Sequence, residues 1–162
     1  MPRAAGRYLG CVALIAGCAV TSPESALPRT IQLGGTLESL HPLLAEDCSQ
    51  TEVLHYAGEL AAPFHQQVQV NCMGLDVFGA RRKVEFMFND GPLGHVWIFI
   101  QPAETVKIRR DLARAFGEVV YETPDYAVFA SGTVALRQDP REVLVATPTL
   151  ITELTGYPGG KR

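Results

Sequence analysis

The chain has 162 residues, 47% hydrophobic and 19% charged, a balance that excludes global disorder and allows a substantial core. Its formal net charge is −3. Removal of residues 1–17, which hold two arginines and no acidic residue, would leave 12 basic and 17 acidic residues, a net charge of −5. This acidic balance argues against nucleic acid as a partner, and the length fits one domain.

The first residues have the order of an export signal. Arg3 and Arg7 precede an apolar run over residues 9–17, and small residues stand just ahead of Cys18. Even when it is counted from residue 8 to residue 20, the run has 13 residues. A helix needs about 20 residues to cross a bilayer, so the run predicts a cleaved signal and no permanent span.

The end of this run, Ile15-Ala16-Gly17-Cys18, resembles the lipobox of bacterial lipoproteins. The resemblance implies cleavage after Gly17, followed by a diacylglyceryl thioether and an N-acyl chain such as palmitate on Cys18. Two or three acyl chains anchor a protein stably, whereas one holds it only marginally. In a Gram-negative cell the resemblance implies an outer-membrane position facing the periplasm, because Ala19 and not an aspartate follows Cys18.

The alternative is an ordinary signal peptide that is cut near Ala19 or after Ala26, which also exports the chain. Two cysteines, Cys48 and Cys72, remain outside the signal and lie 24 positions apart. In an exported protein such a pair predicts one disulfide, and two separate buried thiols are the alternative. No Cys-x-x-Cys and no histidine at ligand spacing is present, so we expect no metal and no cofactor.

The chain divides into four predicted parts. These are a signal peptide (1–17), a lipidated cysteine with a flexible tether (18–30), a folded domain (31–155) and a flexible tail (156–162). The tether is predicted from its serines and prolines and its lack of an apolar period.

The first half of the domain predicts a short helix and then strands. Leucines at helical spacing after Thr36 predict a helix between residues 36 and 47, which Pro42 either interrupts or begins. Residues 47–65 show poor periodicity and are predicted to be rich in loops. Alternation predicts strands around residues 68–72 and 84–88.

A third strand, residues 95–100, is apolar on both faces and is predicted to lie in the middle of the sheet. The preceding Asn89-Asp90-Gly91 predicts a hairpin, and Pro92 favours a loop longer than two residues.

The strongest helix prediction covers residues 102–116. Its apolar positions recur at helical spacing: Ile108, Leu112, Ala115 and Phe116. Gly117 is predicted to end it. Lys107, Arg110 and Arg114 lie on the outer face, which is either solvated or in contact with anionic lipid headgroups.

Short strands are predicted at 127–130, 134–137 and 143–146, and a last short element at 150–154. The predicted fold is therefore α+β: a single domain with a mainly antiparallel sheet of about five to six strands, one main helix on one face and a possible short N-terminal helix. The segment from Cys72 onward, with its Phe88-Asn89-Asp90-Gly91-Pro92-Leu93 turn, is also similar to small uncharacterised exported bacterial proteins. This resemblance implies no activity.

Few residues in the sequence indicate a catalytic, metal-binding or ligand-binding site. The four histidines form no zinc motif, and the common serine-hydrolase and phosphate-loop signatures are absent. Asp76 and Asp90 could form a carboxylate pair, but acids are ordinary at strand ends. His95 beside Trp97 could line a pocket. We therefore name Asp90, His95 and Trp97 as a possible binding surface and predict no catalytic residue, so an enzyme is the less favoured reading.

Three functions fit the sequence. The first is a membrane-anchored envelope lipoprotein whose small domain binds an envelope protein or another envelope component without catalysis. The second is a secreted or periplasmic inhibitor that inserts a loop such as residues 89–94 into a target. The third is an exported enzyme with an unrecognised site. A shallow exposed patch favours the first function, a protruding rigid loop the second and a deep polar cleft the third.

Overall fold

A computed structural model describes residues 26–57 and 64–159. The predicted lipidation site at Cys18 lies outside these residues. The helices are α1 (Leu37–Asp47), α2 (Thr105–Phe116), which follows a 3₁₀ turn at Pro102–Glu104, and α3 (Pro148–Thr155). The strands are β1 (Gln50–Ala57), β2 (Gln66–Val77), β3 (Ala80–Asn89), β4 (Leu93–Phe99), β5 (Val119–Glu122), β6 (Tyr126–Phe129), β7 (Val134–Arg137) and β8 (Glu142–Ala146).

All eight strands form one antiparallel sheet in the order β1-β2-β3-β4-β8-β7-β6-β5. The order is symmetric about its centre. Helix α1 is followed by the meander β1–β4, and helix α2 is followed by the meander β5–β8. The last strand of each meander, β4 or β8, pairs with the other at the middle of the sheet. The topology therefore consists of two similar halves joined along one strand pair.

The predicted α+β class and the antiparallel sheet are confirmed, but the predicted number of strands is too low. β1 occupies the segment that was predicted to be loop-rich. As an edge strand with mostly exposed side chains, it has no apolar alternation to reveal it. β5 has only four residues and a register irregularity, so it also lacks a clear pattern.

The helices lie on both faces of the sheet, which corrects the prediction of one covered face. On the first face, α1 buries Leu40 and Leu44, and α2 buries Ile108, Leu112 and Phe116, in one large core. The sheet contributes this set to the same core: Val70, Phe86, Val96, Ile98, Phe129, Leu136, Val143 and Val145. On the second face, Leu150 and Ile151 of α3 pack in a smaller cluster with Val128, Ala135, Leu144 and Ala146.

Helix α2 confirms the strongest helix prediction. Gly117 follows it with a φ of 85°, a conformation that favours glycine. A Cβ atom at this position would lie 2.8 Å from the Cβ of Ala130. Helix α1 is also confirmed and includes Pro42, and Thr36 caps it by accepting a hydrogen bond from the backbone N–H of Ser39. None of the described helices has the length and apolar character needed to cross a membrane.

The hairpin between β3 and β4 has the predicted longer loop, Asp90 to Pro92, with positive φ at Asp90 and Gly91. The predicted disulfide between Cys48 and Cys72 is also present, with a Cα–Cα distance of 5.4 Å. It joins the C-terminal end of α1 to β2.

Residues 26–30, which the sequence assigns to the tether, lie against the domain. Ala26 and Leu27 pack on the first-face core, and Thr30 is fully buried. The Thr30 hydroxyl donates a 2.6 Å hydrogen bond to the Asp47 carboxylate at the end of α1. At the other end of the chain, Tyr157 packs on Tyr121 in the second-face cluster, with ring centroids 5.6 Å apart.

Candidate binding surface

The second face of the sheet differs between its two halves. Helix α3 packs over β6, β7 and β8, and within residues 26–57 and 64–159 no other helix contributes to the cluster on this face. The β1–β4 half therefore presents side chains of the sheet itself, and we call it the open face. Its residues follow from the strand register: Glu52, Leu54, Tyr56, Gln67, Gln69, Asn71, Glu85, Met87, Asn89, His95, Trp97 and Phe99. Met87, Asn89 and His95 of this set are buried, so the accessible part of the open face consists of the other side chains.

Antiparallel pairing places these side chains in rows across the strands. One row runs through Glu52, Asn71, Glu85 and Trp97. The next runs through Leu54, Gln69, Met87 and His95. Each row combines amide or carboxylate groups with large apolar or aromatic side chains, which is the mixture that binding surfaces use.

His95 and Trp97 lie next to each other on the open face, as their spacing in one strand predicts. Their rings make an edge-to-face contact with centroids 6.0 Å apart. His95 is only 6% exposed, and its Nδ1 lies 3.3 Å from the Nδ2 of Asn89. Gly94 makes room for that amide, because a Cβ atom there would lie 2.3 Å from Asn89 Nδ2. Burial lowers the pKa of His95 from 6.5 to about 4.

This buried histidine predicts a loss of stability in mild acid. Its pKa in the folded chain is below that in the unfolded chain, so the unfolded state binds more protons between these two values. The stabilising contribution is complete above about pH 6.5 and is lost as the pH falls toward 4. Between pH 7 and pH 5 we expect the free energy of unfolding to fall by about 2 kcal/mol through His95 alone.

Denaturant unfolding followed by the fluorescence of Trp97, the single tryptophan, measures this effect. The matched variant is His95→Gln, which keeps a polar group but does not titrate. Comparison with this variant cancels other groups, including Glu142, whose pKa burial raises and whose contribution therefore has the opposite sign. An equal pH dependence in both proteins would rule out His95 as the cause.

Asp90, the third residue predicted for the surface, has a different position. It lies in the β3–β4 turn, where one carboxylate oxygen accepts the backbone N–H groups of His65 and Gln66, each at 3.0 Å. These contacts, first the one with Gln66, lower the pKa of Asp90. The Asp90 carboxylate thus holds the start of β2 against the β3–β4 turn by hydrogen bonds.

The structure also separates the two acids that were considered as a carboxylate pair. Asp76 lies near the end of β2, opposite Arg81, whereas Asp90 contacts Gln66 at the beginning of the same strand. Ten residues of extended strand span roughly 33 Å. Asp76 and Asp90 therefore do not form a pair.

Side-chain hydrogen bonds order the polar part of the open face. Gln69 Nε2 donates to Asn71 Oδ1 at 2.7 Å, and Asn71 Nδ2 donates to Glu52 Oε2 at 2.8 Å. Gln67 Nε2 donates to Asn89 Oδ1 at 2.7 Å. Because these donors are fixed by their neighbours, a partner would meet a preorganised set of polar groups.

Charged side chains border the aromatic residues of this face. Lys83 Nζ lies 2.6 Å from Glu85 and 4.6 Å from the centroid of the Phe99 ring. On the adjoining strands, Arg137 pairs with Glu142 at 3.2 Å, and its guanidinium carbon lies 5.4 Å from the centroid of Trp97.

Glu142 is almost fully buried, and burial raises its pKa. The sequence interpretation missed the pair of Arg137 and Glu142. Their positions on either side of the β7–β8 turn would have indicated it, because turn-flanking residues are cross-strand partners.

A second surface lies between α2 and the edge strand β5. The groove has a volume of about 750 Å³ and is lined mainly by α2 residues, including Arg109, Arg110 and Arg114, and by residues 118–122. Arg109 crosses it and makes two hydrogen bonds to the Glu122 carboxylate, at 2.6 and 2.9 Å. The groove is open to solvent. Arg109 and Glu122 already bond to each other, so neither is free to bind a ligand there.

The acids named on the second face are paired with cations or amides, and the described residues contain no group of three or more His, Cys, Asp or Glu side chains that could hold a metal. Comparison of the chain with protein-family models, with curated proteins and with solved structures found no match.

Proposed function

We propose that this protein is a membrane-anchored lipoprotein of a bacterial cell envelope whose domain binds an envelope component without catalysis. The lipobox-like segment that ends at Cys18 supports the anchor, and the disulfide between Cys48 and Cys72 fits an oxidising compartment. If the source is Gram-negative, Ala19 after Cys18 favours the outer membrane, facing the periplasm, as the proposed location. The proposal includes acylation of Cys18 by chains such as palmitate.

The observation that carries the binding function is the open face. It joins half-buried Trp97, Phe99 and Leu54 with the hydrogen-bonded amides of Gln69 and Asn71 on one surface. Tyr56 on the same face is 40% exposed, so together these side chains leave apolar area that a partner can cover. The mixture of aromatic and amide groups suits a protein surface better than a lipid or a small apolar ligand.

The inhibitor alternative is less well supported. Its inhibitory loop, residues 89–94, is hydrogen-bonded to the domain and does not protrude as a free loop. Gly34 N–H donates to Leu93 O at 2.8 Å, and Leu93 N–H donates to Gly35 O at 2.7 Å. Pro92 also forms a bridge with Thr36. An exported enzyme would need free polar groups that converge in a cleft, and the acids near Trp97 and Phe99 are paired.

One membrane preparation from the host tests both parts of the proposal. Intact-mass analysis is expected to give a chain that starts at Cys18 and carries acyl chains, and Cys18→Ala is expected to lose both the acyl mass and the membrane association. Cys11→Ala is the matched control and is expected to keep both. An unacylated wild-type product that is cut elsewhere would reject the anchor.

The same preparation tests the open face by photo-cross-linking. A photoreactive amino acid at Gln69 is expected to give a discrete adduct, whereas the same residue at Glu38, exposed on α1 on the other side of the sheet, is expected to give none. Equal adducts from both positions, or none from Gln69, would reject binding by this surface.

A further inference from the structure

The outer face of α2 concentrates positive charge on an otherwise acidic protein. Lys107, Arg110 and Arg114 are 60%, 59% and 70% exposed. All three contact the same carboxylate, that of Asp111, at 2.9, 3.6 and 3.6 Å. Three cations and one acid leave a net charge of +2, and we call these three residues the cationic face of α2. Val106, 83% exposed, is a neighbouring apolar side chain on the same helix.

The chain enters the domain beside this face. Ala26, the first described residue, lines a small cavity of about 230 Å³ together with Asp111, Arg114 and Ala115. Only eight peptide links separate Cys18 from Ala26. Eight trans peptide links can reach at most about 28 Å. An acyl anchor at Cys18 therefore holds the C-terminal half of α2 close to the bilayer surface.

We propose that the cationic face of α2 rests on an anionic lipid surface, so that the domain is held in one orientation on its membrane. The inference rests on the proposed anchor, which supplies most of the membrane affinity and leaves orientation to local charge. A basic helix near an anchor is attracted by anionic headgroups over a distance of about one Debye length. The two exposed arginines donate to phosphate groups in a geometry that lysine alone cannot provide.

This orientation agrees with the position of the open face. Helix α2 packs on the first face of the sheet, whereas the half-buried Trp97 and Gln69 lie on the second. With α2 against the lipid, the open face is directed away from the membrane and stays accessible to a partner. The two surfaces thus have separate roles.

Vesicle binding by the unacylated chain that starts at Ala19, which contains every described residue, tests the inference apart from the anchor. Vesicles of phosphatidylglycerol and phosphatidylcholine in equal parts are expected to sediment the protein in low salt, and pure phosphatidylcholine is not. Arg110→Gln/Arg114→Gln is expected to weaken this binding about tenfold. Arg81→Gln/Lys83→Gln, with the same charge change on β3, is expected to bind like the wild type.

Equal weakening in both double variants would overturn the proposal, since it would reflect only net charge. Absence of preference for the anionic vesicles would overturn it as well, as would binding to polyglutamate without binding to vesicles, which indicates an acidic protein partner. Far-UV circular dichroism of each variant verifies that it is folded. A chain that is acylated in the host but does not prefer anionic vesicles contradicts this inference alone, whereas an unacylated chain contradicts the proposed function.

Discussion

Replacement of Glu104 by alanine is expected to lower the free energy of unfolding by about 3 kcal/mol, because it leaves a buried guanidinium without a counterion. The side chain of Arg82 is 4% exposed and makes two hydrogen bonds to the Glu104 carboxylate, at 2.7 and 2.8 Å. Its Nε donates to Val77 O at 3.0 Å. Because Glu104 itself keeps 32% of its exposure, we expect the lower end of the range for buried pairs. Denaturant unfolding at neutral pH measures the loss.

Glu122→Ala is the matched control for this variant. Glu122 makes the same two-point contact with Arg109, but the two side chains are 51% and 37% exposed. Water replaces the lost partner there, so we expect a much smaller loss than in Glu104→Ala. If Glu104→Ala and Glu122→Ala lowered the free energy of unfolding equally, the burial of Arg82 would not be the cause of the loss.

The pair of Arg82 and Glu104 also has a defined pH dependence. The hydrogen bonds from Arg82 lower the pKa of Glu104 from 4.5 to about 2. Its pKa in the folded chain is below that in the unfolded chain, so the contribution is complete above about pH 4.5 and is lost as the pH falls toward 2. This window lies below that of His95, and the two effects can be separated by pH.

Loss of the disulfide has the second of the two largest expected effects. The double variant Cys48→Ser/Cys72→Ser is expected to lose about 3 kcal/mol, because the unfolded chain regains the freedom of a loop of 24 residues. The bridge also holds the C-terminal end of α1 on β2, so both the helix and the sheet lose a constraint. Denaturant unfolding with and without a reductant measures the loss.

The reduced wild type serves as the control for that variant. It is expected to unfold at about the same denaturant concentration as Cys48→Ser/Cys72→Ser, and the reductant is expected to leave the double variant unchanged. A wild type that is insensitive to reductant, and as stable as the double variant, would mean that the two thiols are not joined.

Sequence patterns predicted the central strands and α2 because a single physical signal dominates each of them. Val70 and Cys72 alternate with polar residues, and Ile108, Leu112 and Phe116 recur at helical spacing. The strand β1 has no such signal, since it is an edge strand with exposed side chains. Helix α3 could have been recognised from Thr147 and Pro148, an N-cap followed by a proline in the first turn.

The candidate surface was predictable only within one strand. His95 and Trp97 lie two positions apart, so their shared face follows from strand geometry. Their neighbours Gln69, Glu85 and Arg137 come from three other strands, and the order of those strands is not encoded in any local pattern. The burial of His95 depends on this long-range assembly and could not be read from the sequence.

The symmetric strand order has a consequence for how the chain folds. Each meander can form from contacts between neighbours in sequence, but the central pair joins Val96 to Val145, on strands that are separated by α2 and three other strands. Closing so long a loop costs conformational entropy before the contacts of the core form. This slows folding relative to helical proteins. Until β4 meets β8, each meander exposes an unpaired apolar edge. The central strand pair thus makes two local units into one cooperative molecule.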